Sequence, residues 1–241
     1  ARQNALMALN VALGRLQAAA GPDTRTTGTA DLVAGRDINK KNWTGVWNSA
    51  AAGTDKNIAW LVSGTAPAGA AGVTSALSAA SGNSLVELVG TKTADISTTS
   101  VTGNQVRVET QPVTATVPGL AGTPPIGNFA YWVGDEGVKA KVTLTDPWES
   151  PSAATMTVTA ATAAQAQTYR FVNAQRFGIE GVGKDAADTK LGAAYPATDG
   201  VFKAALSKVV SVFQLPFANA DAAGRTALTS ALRTRFHDLT A

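Results

Sequence analysis

The chain has 241 residues, of which 45% are apolar and only 15% charged, and its 20 basic and 17 acidic side chains leave a net charge of +3. That length suits one large domain or two small ones, and the apolar content is too high and the net charge too low for a chain disordered throughout. With no cysteine, disulfides, thiolate metal sites and a cysteine nucleophile are excluded. Lys40-Lys41 is the one adjacent basic pair, and without a basic run interleaved with aromatics no nucleic-acid partner is expected.

Residues 1–20 combine strong helix formers with Leu6, Leu9, Leu13 and Leu16 at spacings of three and four, which predicts an amphipathic helix with a leucine stripe. Gly21 and Pro22 are placed to end it. The stripe has two compatible uses: to seat the helix on the chain's own sheet, or to face neighbouring subunits in an assembly. Because the helix starts in mid-stride, more chain, apolar in character, is expected upstream. No uninterrupted apolar stretch within the sequence itself reaches the roughly 20 residues of a membrane span.

Past Pro22 the pattern turns to strands. Residues 30–33 read as a short one, and 43–47 as a second in which Trp43 and Trp47 share a face. Residues 57–64 read as a third. An Ala/Gly/Ser-rich insertion follows over 65–82, with a turn or two of helix at 73–80. Residues 85–89 form a short apolar strand. In 101–113, Val106 and Val108 point one way and Arg107 and Glu109 the other. Residues 118–125 form a Gly/Pro loop. The strongest hairpin signal joins 128–133 to 138–144 across Gly134-Asp135-Glu136-Gly137. Residues 153–166 fit helix or strand, and 163–177 look more helical. A helix is predicted at 201–213, striped by Phe202, Leu206, Val209 and Phe213. Another at 222–236 carries Leu228, Leu232 and Phe236, with Asp221 as its N-cap. Helix, then strands joined by short turns, then helices is an α+β order: an N-terminal amphipathic helix packed on an antiparallel β-sheet, with additional C-terminal helices.

Little in the sequence points to catalysis. The single histidine, His237, lies four residues from the last position, a poor platform for a triad or a metal. No metalloprotease, P-loop or nucleophile-elbow spacing occurs. Asp135 and Glu136, with Asp146 ten residues on, are the tightest carboxylate group and the candidate calcium ligands; ordinary turn chemistry is the competing reading. Trp43, Trp47, Trp60 and Trp132 sit in strand-like segments and are expected to pack. Trp148, between Pro147 and Pro151, is the candidate exposed aromatic for a sugar ligand. Asn42-Trp43-Thr44 matches the N-glycosylation sequon.

The opening residues, from Ala1-Arg2-Gln3-Asn4-Ala5-Leu6-Met7-Ala8-Leu9 through Ala12-Leu13-Gly14-Arg15-Leu16-Gln17 to Ala20-Gly21-Pro22-Asp23, resemble the part of a type IV pilin-like helix that follows the membrane. Asn42 to Trp47, Trp60 to Gly64, Tyr131 to Ala140 and Phe236 to Thr240 extend the resemblance. More narrowly, they resemble the large pilin-like cassette proteins of Verrucomicrobia, grouped with PilX-type pilus assembly proteins. The resemblance implies a prepilin leader and an apolar helix upstream, and more chain beyond Ala241. It implies homo- or hetero-oligomeric pilin-like partners, an initial inner-membrane anchor and a final place at the cell surface, periplasm or exterior.

The sequence thus leads to three expected regions: 1–21, the C-terminal half of a pilin-like helix; 22–150, a β-rich head; and 151–241, a mainly helical segment on that head. The expected function is a non-enzymatic structural subunit of a type IV pilus-like or secretion pseudopilin assembly, without a cofactor other than a possible calcium ion. The alternative is a cell-surface adhesin or carbohydrate-binding module.

Overall fold

The run of Ala, Leu, Gln and Arg from Arg2 to Ala20 forms one continuous helix, α1, in a computed structural model that describes residues 2–22, 24–50, 56–90, 103–116, 122–143, 200–206, 208–219, 221–232 and 236–241. The chain divides into two compact units, Ala1–Thr93 with Ser97–Asp135, and Ala94–Ile96 with Glu136–Ala241. Helices and mainly antiparallel strands make up the described residues, an α+β composition. The division falls inside the sequence 134–137 that reads as a hairpin turn.

In the first unit, α1 uses two different faces. Ala8, Ala12 and Ala19 are buried, and on an α-helix these positions line up about a third of a turn away from the leucine stripe. Ala8 and Ala12 pack with Tyr131, beside Val11, Phe129 and Val133. Ala19 joins Val46 and Leu61, and Leu16, at the edge of the stripe nearest the alanines, packs beside them. Small side chains let the helix backbone approach the Tyr131 ring and the sheet closely. Leu6, Leu9 and Leu13 stay 52%, 63% and 50% exposed, so they are not what seats the helix on its own unit. Arg25 Nη1 donates to the carbonyls of Ala18 and Ala19, at 3.1 and 2.6 Å, satisfying orphan acceptors at the helix C-terminus with a cation.

Strands β1 (Arg25–Thr29), β2 (Thr44–Asn48) and β3 (Asn57–Trp60) form an antiparallel sheet in that order. The first of them takes the polar β-branched run after Pro22, while Ala30–Leu32, expected as a strand, is a 3₁₀ turn. Gly28 faces Gly45 across β1 and β2, and Gly45 faces Trp60 across β2 and β3. A Cβ on Gly45 would stand 2.7 Å from the Trp47 ring and 2.8 Å from that of Trp60. The two indoles meet edge to face at 5.5 Å, so the glycine is what lets them close over the sheet.

The helical turn expected at 73–80 is found earlier and shorter, as α2 (Ala71–Thr74), and residues 75–80 are not helical. Two antiparallel pairs follow: β4 (Leu85–Val89) with β5 (Val106–Glu109), and β6 (Gln111–Thr114) with β7 (Pro125–Phe129).

The expected hairpin across 134–137 does not form. Its first arm splits: β7 pairs with β6, and Tyr131 to Val133 extend the β1–β3 sheet through the Val62–Trp132 bridge. Ser63 N donates to Tyr131 O at 2.9 Å and Val133 N to Leu61 O at 3.0 Å. Glu136–Val138 is a 3₁₀ turn. Alternation marks a half-buried strand but carries no information about its partner, and a ready sheet edge at Leu61–Ser63 takes the arm.

In the second unit β8 (Ala140–Lys141) pairs in parallel with β9 (Leu239–Thr240). Three helices, α3 (Gly200–Leu206), α4 (Leu215–Ala218) and α5 (Ala222–Leu232), complete its described part. Its core is Val142, Leu206, Val209, Leu215, Ala218, Leu228, Leu232 and Leu239. The helix expected through residue 213 stops at Leu206, ahead of the β-branched run Val209, Val210 and Val212, whose stiff side chains disfavour helix; Phe213 is left 47% exposed. Asp221 does cap α5, its Oδ2 accepting from Gly224 N at 2.6 Å.

Two substitutions check this packing. Gly45→Ala should cost about 1–3 kcal/mol by overpacking the indole pair, read as a lower urea midpoint with unchanged slope. Asp221→Ala should cost about 1 kcal/mol by removing the cap, with the loss of helical signal confined to the second unit.

Candidate functional site

The predicted site residues are placed as follows. Leu6, Leu9 and Leu13 present an apolar strip to solvent on α1, with Leu16 half-buried below them. Asp135 accepts a hydrogen bond from Thr27 Oγ1 at 2.5 Å, and Glu136 is paired with Lys139 at 2.8 Å. Each of these neighbouring carboxylates thus has its own partner. Asp146 and Trp148 lie outside the described residues, as does the expected element at 153–177. Among the described residues no group of three His, Asp or Glu side chains is arranged to hold a metal, and no described helix is long and apolar enough to cross a membrane. His237 stacks edge to face on Phe236 at 5.0 Å.

The four described tryptophans are engaged in packing. Trp43 Nε1 donates to Arg107 O at 3.1 Å, Trp60 Nε1 to Gly69 O at 3.0 Å, and Trp132 Nε1 to Asn42 O at 3.1 Å. Trp43 and Trp60 are buried, and Trp47 is held against Trp60. Trp43 precedes β2, so strand alternation does not relate it to Trp47. The sequon is equally occupied: Asn42 Nδ2 donates to Gly103 O, and Thr44 is buried.

The most built polar site of the first unit is one the sequence did not single out. A cavity of about 140 Å³ lies between the sheet and the insertion after β3, lined by Lys40, Trp43, Ser63, Thr65, Ser75 and Glu109 among others. Glu109, expected to point outward with Arg107, is only 6% exposed. It ends β5, where the insertion folds over it. Its Oε2 accepts from Thr65 N and Thr65 Oγ1, at 3.1 and 3.3 Å. Its Oε1 accepts from Ala80 N and Asn83 Nδ2, at 2.8 and 2.7 Å. Gly64, at φ +116°, gives the carboxylate room: a Cβ there would lie 2.8 Å from Oε2. Burial pushes the Glu109 carboxyl up, but the four hydrogen bonds outweigh it and hold the group below the usual glutamate value.

Lys40 is 5% exposed. Its Nζ donates to Gly72 O at 3.0 Å and Ser75 Oγ at 3.2 Å, and lies 5.1 Å from the centre of the Trp43 ring. Burial pulls its ammonium below the usual lysine value, with the Asp37 charge opposing the shift. Ser63 Oγ donates to Glu109 O at 2.7 Å and accepts from Tyr131 N at 3.1 Å, so its hydroxyl is used in holding two strands. The chemistry of this chamber is that of a clasp: the Glu109 carboxylate ties loop backbone to β5, and the Lys40 ammonium ties it to the 3₁₀ turn Ile38–Lys40. Composition hid it, because a lone Glu at a strand end and one Lys of a pair look like surface residues; the small-residue run around Gly64, Gly69 and Gly72 was the available signal of a close approach.

No family model, curated protein or solved structure matches the chain.

The lowered Glu109 value has a definite sign. A folded-state value below the unfolded one means the unfolded chain binds more protons in the interval between them, so the carboxylate's stabilisation is complete above the ordinary glutamate value and is lost as pH falls through the lowered one. Urea midpoints measured from neutral pH into acid should fall in that window, and the fall should be shallower in Glu109→Gln.

Proposed function

We propose that the chain is a non-enzymatic structural subunit of a type IV pilus-like or secretion pseudopilin assembly, anchored in the inner membrane before it reaches the cell surface or periplasm. The observation that carries this reading is the division of labour on α1. Ala8, Ala12 and Ala19 seat the helix, while Leu6, Leu9 and Leu13 remain exposed. A helix that already has its own packing face has no internal use for a second apolar strip, and such strips on soluble surfaces mark contact with another molecule. The partners on this reading are further pilin-like subunits, alike or different, with the membrane reached through an apolar segment ahead of α1. The resemblance of the opening residues to pilin-like helices supports the same assignment.

The test uses the protein with its native upstream sequence in its own host. Leu9→Asp with Leu13→Asp should leave the thermal midpoint close to that of the parent, since exposed positions change stability by only about 0.5 kcal/mol. The double variant should be missing from the sheared surface filaments and retained in the membrane fraction. Ala12→Leu, on the seated face, should instead cost about 1–3 kcal/mol of stability. Filaments that incorporate the double variant as well as the parent overturn the proposal.

A further inference from the structure

Residues 65–83 form a strap across the first unit that is fastened almost wholly by polar bonds. Within it only Gly69, Gly72 and Val73 are buried, and of these Val73 alone contributes an apolar side chain of any size. Its two ends converge on one group. Thr65 from the start of the strap and Ala80 and Asn83 from its end all donate to the Glu109 carboxylate. Its middle is held by Asp37, whose Oδ2 accepts from Leu77 N at 3.3 Å and whose N donates to Val73 O at 2.8 Å. Lys40 Nζ reaches Gly72 O and Ser75 Oγ, and Asn57 and Trp60 hold Gly69 at its N and O.

We propose that this strap is an acid-released cover: protonating Glu109 on either oxygen frees the end of the strap bonded to that oxygen, so that the two ends are released in turn and the chamber beneath loosens, while strands β1 to β3 stay paired. A carboxylate presents acceptors on both oxygens. The protonated acid turns one oxygen into a donor, which then faces N–H or O–H groups already directed at it. Two donors lose their partner at once, and little apolar burial holds the strap in compensation. The charged groups around Glu109 do not offset this. Lys40, across the chamber, keeps its proton throughout the acid range. Asp37, just ahead of the 3₁₀ turn Ile38–Lys40, is among the described residues the one other carboxylate bonded to the strap. Glu87 and Arg107, from β4 and β5, are paired with each other at 3.4 Å. Because the hydrogen bonds hold Glu109 below the usual glutamate value, the cover stays shut at neutral and mildly acidic pH.

Hydrogen exchange followed by mass spectrometry on the whole chain tests this, with protection expressed relative to the intrinsic rate at each pH. Between pH 7 and about pH 3 the wild-type amides of Thr65, Leu77 and Ala80 should lose roughly tenfold or more of their protection, while those of Val46 and Leu61 keep theirs. Glu109→Gln should loosen one end, Thr65 or Ala80, already at pH 7, because its amide can accept on one side only, and should then change little with acid. Asp37→Asn should loosen Leu77 and leave Thr65 and Ala80 closed. The proposal is overturned if strap and sheet lose protection together in acid, if Glu109→Gln holds the strap as tightly as the parent, or if Asp37→Asn alone releases its ends. Should Glu109→Gln not fold, the wild-type titration decides between local release and collapse of the unit.

Discussion

The Trp60 indole serves two parts of the first unit at once. Its face and edge pack on Gly45 and Trp47 within the β1–β3 sheet, and its Nε1 holds the Gly69 carbonyl of the strap. Gly72 lies so close to the ring nitrogen that a Cβ there would stand 2.6 Å away. A large ring between a strand and a loop can be accommodated only where the neighbouring residues give up their side chains. Around Trp60 the sequence does this on both sides. With the ring in place, the strap lies within reach of Lys40, Asp37 and Glu109, whose hydrogen bonds then fix its course.

The elements that could be read from the sequence are those whose signal is local. Helix α1, strand β4 and the Asp221 cap depend on residues a few positions apart, and each is where periodicity or capping puts it. The alternation in β5 correctly buries Val106 and Val108, yet it misplaces Glu109. The reason is that the outward face of the strand's last residue becomes an inward face once residues 65–83 cross it. The hairpin at 134–137 fails for a related reason. Tyr131 to Val133 have the pattern of a strand, but the choice between a following arm and the distant edge at Leu61–Ser63 is made by tertiary structure. The leucine stripe teaches the converse. Large side chains dominate a helical wheel on paper, whereas close approach to Tyr131 selects alanine.

The separation of the two α1 faces also bears on how a subunit of the proposed kind keeps its shape. The helix is tied down by the alanine contacts, by Arg25 on its last carbonyls and by Asn4 Nδ2 donating to Asn128 O at 3.3 Å. None of these uses Leu6, Leu9 or Leu13, and of the stripe only Leu16 packs inward. Contacts made or broken through Leu6, Leu9 and Leu13 would therefore leave the first unit's own packing untouched.

The parallel pairing of Ala140 with Leu239 brings together residues about a hundred positions apart, a contact of high closure entropy. It is reinforced by Val142 N donating to Thr240 O at 2.8 Å and by Lys139 lying 4.6 Å from the centre of the Phe236 ring. On the ribosome, everything the first unit needs has emerged by residue 135. The second unit must wait, its Val142 and α3 exposed, until residue 240 leaves the tunnel. Of the two units, the later one therefore completes its core only after the earlier one has every residue it needs.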